Sequence, residues 1–362
     1  DYYLFIIHHT DHGGGALEHE NSTTFLVDRW TYTPGRNYIN FLSLVVHEYL
    51  HVWNVKRIKP ASFIPYLYDR EMYTDLLWML EGFTSYYDEI LLSRAGLMTE
   101  TAYIEKLNGA INSIERSPGL EVMSVAQASF DAWIRYYRPN ENSVNATISY
   151  YTKGNVLAAM LDLEILQATG GTRRLDDVMY RLYHDYYKND LGIDIDILRE
   201  TIEQVAGRSF LEFFQDHVYG TEPIDYERYL QEAGYAIFDY HSGSGQAFLG
   251  AGLADEGGKT MVKSVIAGSA AAESGVYVGD ELIAMNGFRV DTEMVFDLVS
   301  RQEPGDTVTL TYSRNGMVKE KKVRLMEDKR SQFRIYPLPG PSEEQDALRQ
   351  TWLREQPATS TN

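Results

Sequence analysis

The sequence contains no cysteine among its 362 residues. Disulfide bonds, iron–sulfur clusters and thiolate zinc sites are therefore excluded, because each of them needs cysteine sulfur. Positive charge is also scarce: 33 Lys and Arg face 52 Asp and Glu, and the formal net charge is −19. We expect no nucleic-acid or anionic-membrane partner, because both require a positive surface.

Long apolar runs are absent as well. No stretch of the sequence approaches the roughly 20 apolar residues that a membrane span requires, so we expect no span. A protein without cysteine suits the cytoplasm and the periplasm equally, so composition leaves the compartment open.

Helix and strand patterns divide the sequence into regions of different character. A strand-like run at residues 2–7 opens it directly, which leads us to expect that further chain precedes this run. Helical periodicity dominates from about residue 101 to 233, and a Gly- and Ser-rich stretch at 241–246 has the composition of a linker. The pattern predicts an α+β protein with several domains.

The region after the linker predicts a small β-rich domain. We expect strands at 260–265, 281–285, 307–313 and 319–325, and one helix at 292–300. Beyond it, residues 342–354 could form a short helix with Ser342 and Gln345 as a capping box.

The strongest signal for chemistry is His47-Glu48-Tyr49-Leu50-His51, within a helical pattern that begins after Gly35. Two histidines four residues apart project from one face of a helix, so both imidazoles can reach one ion. Zn²⁺ accepts neutral imidazole nitrogen, and a catalytic zinc site keeps a position for water. Glu48 lies beside the first histidine and can take a proton from that water. The segment therefore predicts one catalytic Zn²⁺ site.

A third zinc ligand is expected in a second helix, which the pattern predicts at about residues 74–94. Glu81 lies there between apolar residues, in Trp78-Met79-Leu80-Glu81-Gly82. A carboxylate in such a setting is paired or bound to a metal. Asp88 and Glu89 are candidates for groups that orient a histidine ligand, although a solvated helix face explains them equally well.

These motifs resemble a known class of enzyme. His47-Glu48-x-x-His51 followed by Trp78-x-x-Glu81-Gly82 is similar to the gluzincins, which are thermolysin-like zinc peptidases. The stretch from Val46 to Pro60 is more closely similar to the glycyl aminopeptidase family. The resemblance implies Zn²⁺ held by His47, His51 and Glu81, with Glu48 as the general base.

The same resemblance implies a domain organisation for the whole chain. It predicts a thermolysin-like catalytic domain at 1–105 preceded by an amino-terminal β domain, an α-helical domain at 106–238 that completes the active-site cleft, a PDZ domain at 245–332 and a carboxy-terminal tail at 337–362.

Gly15-Ala16-Leu17-Glu18-His19 resembles the Gly-x-Met-Glu-Asn motif of the related aminopeptidase N family. In that motif an edge strand lines the cleft and its Glu binds the α-ammonium of the substrate. The resemblance implies Glu18 as the amine anchor, with Gly15 and Ala16 beside the substrate. This sequence has Leu in place of Met and His in place of Asn. The alternative interpretation is a Gly-rich turn with a solvated Glu.

Tyr151-Thr152-Lys153-Gly154 resembles the Tyr-x-Lys-Gly element, in which a tyrosine hydroxyl stabilises the tetrahedral oxyanion. It precedes a periodic helical stretch at 155–167. A phenol donor aimed at developing charge in a dry cleft supplies substantial stabilisation. Tyr150 is adjacent and could be the donor instead, so the motif alone favours Tyr151 among the 27 tyrosines.

Leu249-Gly250-Ala251-Gly252 and the segment 268–283 resemble the PDZ domains of bacterial proteases. Such domains bind a carboxy-terminal peptide as an added strand, and the N–H groups of the Gly-rich loop hold its carboxylate. The implied partner is a carboxy-terminal peptide. A PDZ domain that packs on the catalytic domain and binds nothing in trans is equally consistent with the sequence.

The resemblance thus implies a zinc-dependent aminopeptidase that removes Gly or Ala from peptides with a free N-terminus. One alternative is a zinc endopeptidase, in which Glu18 would bind no amine. Another is a PDZ adaptor with an inactive peptidase fold, against which the complete set of ligands and base argues. A second metal site is conceivable at His8, His9, His12 and His19, but lone histidines are more often satisfied by ordinary hydrogen bonds.

Overall fold

The computed structural model describes residues 2–354 of the chain. The strands are β1 (Leu4–Thr10), β2 (Ala16–Glu18), β3 (Ser22–Asp28), β4 (Tyr235–Asp239), β5 (Ala247–Phe248), β6 (Ala251–Glu256), β7 (Lys259–Val265), β8 (Glu281–Met285), β9 (Phe288–Arg289), β10 (Thr307–Arg314), β11 (Met317–Arg324), β12 (Met326–Glu327) and β13 (Phe333–Pro337).

The helices are α1 (Arg36–Leu50), α2 (Leu77–Leu80), α3 (Gly82–Arg94), α4 (Glu100–Glu115), α5 (Val125–Phe130), α6 (Ser143–Ala146), α7 (Tyr150–Ala168), α8 (Leu175–Arg181), α9 (Ile195–Ala206), α10 (Leu211–Phe213), α11 (Tyr226–Glu232), α12 (Ala270–Glu273), α13 (Thr292–Ser300) and α14 (Glu343–Leu353). Short 3₁₀ segments lie at Ala61–Phe63, Pro118–Glu121 and Tyr187–Asn189, and π-helical turns at Leu182–Tyr186 and Phe214–Tyr219.

A small amino-terminal sheet supports the first helix. Its strand order is β1-β3-β2; β1 is parallel to β3, and β2 is antiparallel to β3 and forms a free edge. Alternation along β3 buries Phe25 and Val27, which pack against Phe41 of α1. Because α1 also contacts β2, this packing holds the helix beside the edge strand.

The central element of the large core is α7, in which every residue from Lys153 to Leu166 is buried. The helix begins at Tyr150, earlier than the periodicity at 155–167 indicated, because the Ser149 side chain accepts a hydrogen bond from the Thr152 N–H. Tyr151 therefore lies in the first turn of a helix rather than in a preceding loop.

Two glycines allow α3 to approach α7 closely. A Cβ atom on Gly82 would lie 2.4 Å from Gly154 Cα, and one on Gly154 would lie 2.2 Å from the Trp78 carbonyl oxygen. Any larger residue at either position would force the two helices apart. The helix predicted at 74–94 is thus shorter than expected and consists of α2 and α3, with Glu81 between them.

The carboxy-terminal helix α14 is part of the large core. The capping box of Ser342 and Gln345 is present, which confirms that local prediction. Trp352 is completely buried, and its indole N–H donates to the Tyr86 hydroxyl at 3.0 Å. The Arg94 guanidinium donates to the Trp352 carbonyl at 3.1 Å. This part of the predicted 337–362 tail is therefore tied to α3, while residues 355–362 lie outside the described residues.

The large core is continuous across the predicted boundary at residue 105. That residue lies inside α4, and buried residues on both sides of it belong to one hydrophobic cluster. The division at 105, like the other domain limits, stays a prediction.

A second core lies in the carboxy-terminal β-rich region. Its main sheet has the order β11-β10-β8-β7-β6, and β9 pairs with β8. The helix and strands predicted there are confirmed; α13 and β8 have the predicted bounds. The β4–β13 pair connects this region to the helical part. The Asn145 side chain also connects them, because its amide donates to the Val265 carbonyl and its oxygen accepts from the Ala267 N–H. Within residues 2–354, no helix has the length and apolar character of a membrane span.

Candidate metal centre and active site

Helix α1 presents both motif histidines on one side of its last turn. His47 lies within the helix, and His51 is the C-cap residue that directly follows it. Their ring centroids are 4.8 Å apart, and His51 is buried while His47 is partly exposed. The spacing of four residues thus produces the convergence of imidazoles that the sequence predicted.

Glu81 faces both rings from the junction of α2 and α3. Its Oε2 atom lies 3.3 Å from Nε2 of His47 and 3.4 Å from Nε2 of His51. One ligand atom from each of the three residues lies within 4.8 Å of the others. Among residues 2–354 this is the one such group of three, and His8, His9, His12 and His19 contribute to none.

The second nitrogen of each imidazole is already engaged. His47 Nδ1 lies 2.9 Å from Asp88 Oδ2, and the Ser43 hydroxyl donates to the other oxygen of Asp88 at 2.7 Å. His51 Nδ1 lies 2.8 Å from the Asn54 carbonyl oxygen. These contacts hold each ring by its Nδ1 and turn both Nε2 atoms toward Glu81, where they can bind a cation once they carry no proton.

Asn54 also fixes the segment that carries Glu81. Its side-chain amide donates to the carbonyls of Met79 and Leu80 at 3.1 and 3.0 Å. No role for Asn54 was predicted from the sequence, although it lies in the stretch 46–60 that carried the family resemblance.

The structure distinguishes the two candidates for a group that orients a histidine. Asp88 contacts His47, whereas Glu89 pairs with Lys106 at 3.1 Å and contacts no candidate ligand.

The donor set fits Zn²⁺. Two imidazole nitrogens and one carboxylate oxygen match the ligands of catalytic zinc sites, and the hydrogen-bonded Nδ1 atoms provide the outer support that such ligands need. Burial raises the pKa of Glu81, but hydrogen bonds from His47 and His51 outweigh it and lower that pKa to about 2. The carboxylate is therefore ionised and supplies the negative charge that a divalent cation requires.

Glu48 lies next to this group but on a different side of the helix. It is 4% exposed, and burial raises the pKa of its carboxyl while the two neighbouring histidines oppose that rise. Thr23 Oγ1 lies 3.4 Å from Glu48 Oε2 and 3.1 Å from the Leu17 carbonyl, so its one hydrogen can serve either acceptor. Thr23 links Glu48 to the edge strand, and no motif had indicated it.

The edge strand β2 contains Ala16 and Glu18, with Gly15 directly before it at φ +108°. Gly15 and His19 bond to β3 through their backbone, since Leu26 N–H donates to Gly15 O and His19 N–H to Ser22 O. In an antiparallel pair these groups alternate, so the backbone groups of Ala16 and Glu18 face away from β3. The free edge can therefore pair with an extended peptide.

Glu18 already has a cationic partner. Lys56 Nζ lies 3.1 Å from Glu18 Oε1, and both side chains are mostly buried. No function was predicted for Lys56, although it lies in the stretch 46–60 that carried the family resemblance. One carboxylate oxygen of Glu18 is thus paired, and an amine at this position would share the group with a lysine.

Tyr151 lies beside the His47 ring. The two rings are 6.5 Å apart between centroids and nearly parallel. Tyr150 is 1% exposed, and its hydroxyl donates to Tyr137 at 3.2 Å. Burial, with the nearby Glu81 carboxylate, raises the pKa of Tyr151, so its phenol stays protonated and able to donate.

The predicted PDZ loop is separate from this centre. Leu249 and Ala251 are buried in the second core, and Gly250 adopts φ +79° where a Cβ would lie 2.1 Å from Ser269 Cβ. Gly252 follows in β6, which is an edge strand of its sheet. The loop therefore precedes a strand edge that could accept another strand.

Comparison with known proteins agrees with these features. Residues 40–157 match the M61 glycyl aminopeptidase family, and residues 247–325 match the PDZ domain family. The first match includes the part of α1 that carries His47, together with His51, Glu81 and Tyr151. No curated protein matches the chain.

A solved structure resembles the chain over almost its whole length. It is an aminopeptidase N family protein from Idiomarina loihiensis, with a TM-score of 0.87 and 30% sequence identity, covering 98% of this chain and 62% of that one. The chain thus spans about 62% of the length of that relative. A serine endoprotease from Yersinia pestis matches at 26% identity over 23% of this chain and 29% of that chain, with a TM-score of 0.21.

The family matches thus show a peptidase-family domain at residues 40–157. More specifically, the chain carries an M61 glycyl aminopeptidase family domain together with a PDZ domain, which confirms the resemblance seen in the sequence.

Proposed function

We propose that the chain provides the active site of a zinc-dependent aminopeptidase, in a thermolysin-like arrangement. The observation that carries the proposal is the convergence of His47, His51 and Glu81, whose ligand atoms lie within 4.8 Å of one another. A Zn²⁺ ion held by these three residues would activate water and polarise the scissile carbonyl. The match of residues 40–157 to the glycyl aminopeptidase family supports the same reaction class.

Glu48 is the general base in this proposal. Its carboxylate accepts a proton from the attacking water and then delivers a proton to the amine that leaves. Burial raises the pKa of Glu48, and a higher pKa makes the carboxylate a stronger base near neutral pH. The contact with Thr23 keeps the carboxylate directed toward the edge strand, where a substrate would lie.

Tyr151 and Glu18 are the substrate-side residues of the proposal. The protonated phenol of Tyr151 donates a hydrogen bond to the oxygen of the tetrahedral intermediate. Glu18 binds the α-ammonium of the substrate, and the free backbone of Ala16 pairs with the peptide beyond it. An amine held at a fixed distance from the reacting carbonyl restricts cleavage to the first peptide bond.

The family description supports N-terminal Gly as the preferred residue, and Ala is added because the resemblance of the sequence implies a small first residue. The PDZ region would bind a carboxy-terminal peptide along β6, with the loop at 249–252 holding the carboxylate.

The experiment compares free and N-acetylated Gly and Ala anilides, with and without a chelator. We expect turnover of the free amines, at least about 100-fold slower turnover of the acetylated forms, and loss of both with 1,10-phenanthroline. Glu48→Gln is the matched control, which should retain zinc but lose activity by about 10³-fold or more. Full activity of Glu48→Gln would contradict the assignment of the base.

A zinc endopeptidase is the second candidate, and the Lys56–Glu18 ion pair favours it. If Glu18 serves only to hold Lys56, the cleft has no amine anchor and blocked peptides are substrates. Equal turnover of acetylated and free substrates would support this alternative.

A further inference from the structure

Four tyrosines gather beside the candidate metal centre. Tyr150 and Tyr151 come from the first turn of α7, and Tyr136 and Tyr137 come from the turn after α5. The backbone N–H groups of Tyr136 and Tyr137 both donate to the Ala132 carbonyl at 3.1 Å. That turn therefore holds two further rings against the helix end that carries Tyr151.

Three of these hydroxyls form a chain of hydrogen bonds. Tyr150 donates to Tyr137 at 3.2 Å, and the hydroxyls of Tyr137 and Tyr151 are 3.3 Å apart. Each phenol has one hydrogen to donate, and its oxygen can also accept. Since Tyr137 already accepts from Tyr150, its own hydrogen is available for the oxygen of Tyr151.

We infer that Tyr137 is a positioning residue that makes Tyr151 the oxyanion donor. The Tyr137 hydroxyl donates to the Tyr151 oxygen, and the hydrogen of Tyr151 is then directed to the side where His47 lies. Hydrogen bonds in a chain polarise one another, so accepting from Tyr137 makes Tyr151 a better donor. No proton is transferred along the chain, because each hydrogen stays on its own oxygen.

The arrangement also gives Tyr150 a role different from donation to substrate. Its hydrogen is committed to Tyr137, and its side chain is 1% exposed. Tyr150 thus orients Tyr137, as Tyr137 orients Tyr151. This inference rests on the proposed function, in which an oxyanion forms next to Tyr151.

The test is a double-mutant cycle on turnover of an Ala anilide. Tyr151→Phe should lower kcat by about 10²- to 10³-fold, as loss of one oxyanion donor does. Tyr137→Phe should lower kcat by roughly 3- to 10-fold with unchanged KM, because it weakens that donor without removing it. The double variant should match Tyr151→Phe alone.

Tyr136→Phe is the matched control. Its ring packs 4.9 Å from Tyr150 and 5.7 Å from Tyr151, but within residues 2–354 its hydroxyl makes no hydrogen bond. We expect its kcat to stay within about 2-fold of the unchanged protein, since Phe keeps the packed ring and removes only a hydroxyl without a hydrogen bond.

A second readout separates positioning from general structural support. A phosphonate analogue of the substrate carries a tetrahedral anion, whereas the product alanine does not. Tyr137→Phe should weaken binding of the phosphonate by the same factor as kcat and leave inhibition by alanine unchanged. Equal weakening of both ligands would overturn the inference.

Two outcomes distinguish this inference from the proposed function. If Tyr151→Phe retains full kcat, Tyr151 is not the oxyanion donor, and the positioning role of Tyr137 fails with it. If Tyr151→Phe is impaired but Tyr137→Phe lowers kcat by the same factor with Tyr or Phe at position 151, only the positioning role of Tyr137 is wrong.

Discussion

The two sides of the candidate active site are built differently. On the metal side, each histidine has a fixed partner for its second nitrogen, Asp88 for His47 and the Asn54 carbonyl for His51. On the substrate side, Glu18 and Tyr151 are contacted by side chains that are themselves charged or hydroxylated, Lys56 and Tyr137. The metal side therefore has one defined arrangement, whereas the substrate side depends on partners that can exchange.

This difference follows from the chemistry of each side. A cation site needs ligands held rigidly before the ion arrives, and buried hydrogen bonds supply that rigidity. A substrate site must exchange its occupant at every turnover, so its groups keep contacts that an incoming amine or oxyanion can replace. Changes on the metal side should thus alter zinc affinity, and changes on the substrate side should alter kinetics with zinc retained.

Loss of a ligand should have the largest effect. Glu81→Gln removes the negative charge that lies 3.3 and 3.4 Å from the two imidazole nitrogens. We expect zinc content well below one ion per chain and activity reduced by about 10³-fold or more. Metal analysis beside an activity assay checks this, with Glu48→Gln as the zinc-retaining comparison. Full zinc content in Glu81→Gln would contradict the ligand assignment.

Loss of the carboxylate that contacts the second nitrogen of His47 should have the next largest effect. Asp88→Asn weakens the contact with His47 Nδ1, and zinc affinity should fall by about 10- to 100-fold. Competition with a chromogenic chelator measures it. Glu89→Gln alters the neighbouring carboxylate, which pairs with Lys106, and should leave zinc affinity unchanged. Equal losses in the two variants would refute the role given to Asp88.

The sequence predicts the metal side of the candidate site better than the substrate side. The spacing of His47 and His51 and the apolar setting of Glu81 were sufficient to predict that these three side chains converge, because a helix repeats its face every turn. Tyr137 and Thr23 could not be predicted, since they reach the site through tertiary contacts and show no periodicity. Lys56 lay within a recognised stretch, but its pairing with Glu18 depends on how β2 lies against the end of α1.

The fold shows a similar limit. The four strands predicted in the PDZ region correspond to β7, β8, β10 and β11, because hydrophobic alternation and Gly- and Asn-rich turns mark them locally. Strands β6 and β9 of the same sheet were not predicted. The break between α2 and α3 at Glu81 was not predicted, since it accompanies the close approach of Gly82 to Gly154 of another helix. Burial of Trp352 in the large core was also missed, because a short amphipathic helix does not reveal what it packs against.

Helix α7 contributes to both the candidate site and the core. Burial of Lys153 in this helix should lower the free energy of unfolding. Its Nζ is buried without a hydrogen-bond partner among residues 2–354, and burial lowers the pKa of Lys153 from 10.5 to about 8. Between these two values the unfolded chain binds more protons than the folded one, so the free energy of unfolding should rise with pH.

Lys153→Met tests that cost. We expect a gain on the order of 3 kcal/mol in unfolding free energy at pH 7, and loss of the rise above pH 8. Urea unfolding as a function of pH measures both. Lys319→Met changes an exposed lysine and should have neither effect. A destabilised Lys153→Met with an unchanged pH profile would show that the ammonium is stabilised in the fold.

The smallest effect is expected at Lys56. Its ammonium pairs with the carboxylate proposed to bind the substrate amine, so the two cations compete for Glu18. Lys56→Met should lower KM for free-amine substrates by about 2- to 5-fold, with zinc content unchanged. Steady-state kinetics on Ala and N-acetyl-Ala anilides check this. A raised KM for the free amine would mean that Lys56 supports the anchor instead of opposing it.

The most direct measurement of the metal centre is zinc K-edge X-ray absorption on the zinc-loaded protein. The account predicts two imidazole nitrogens at about 2.0–2.1 Å together with oxygen ligands, and one imidazole fewer in His47→Ala. A spectrum without imidazole scattering, or one that His47→Ala leaves unchanged, would contradict it.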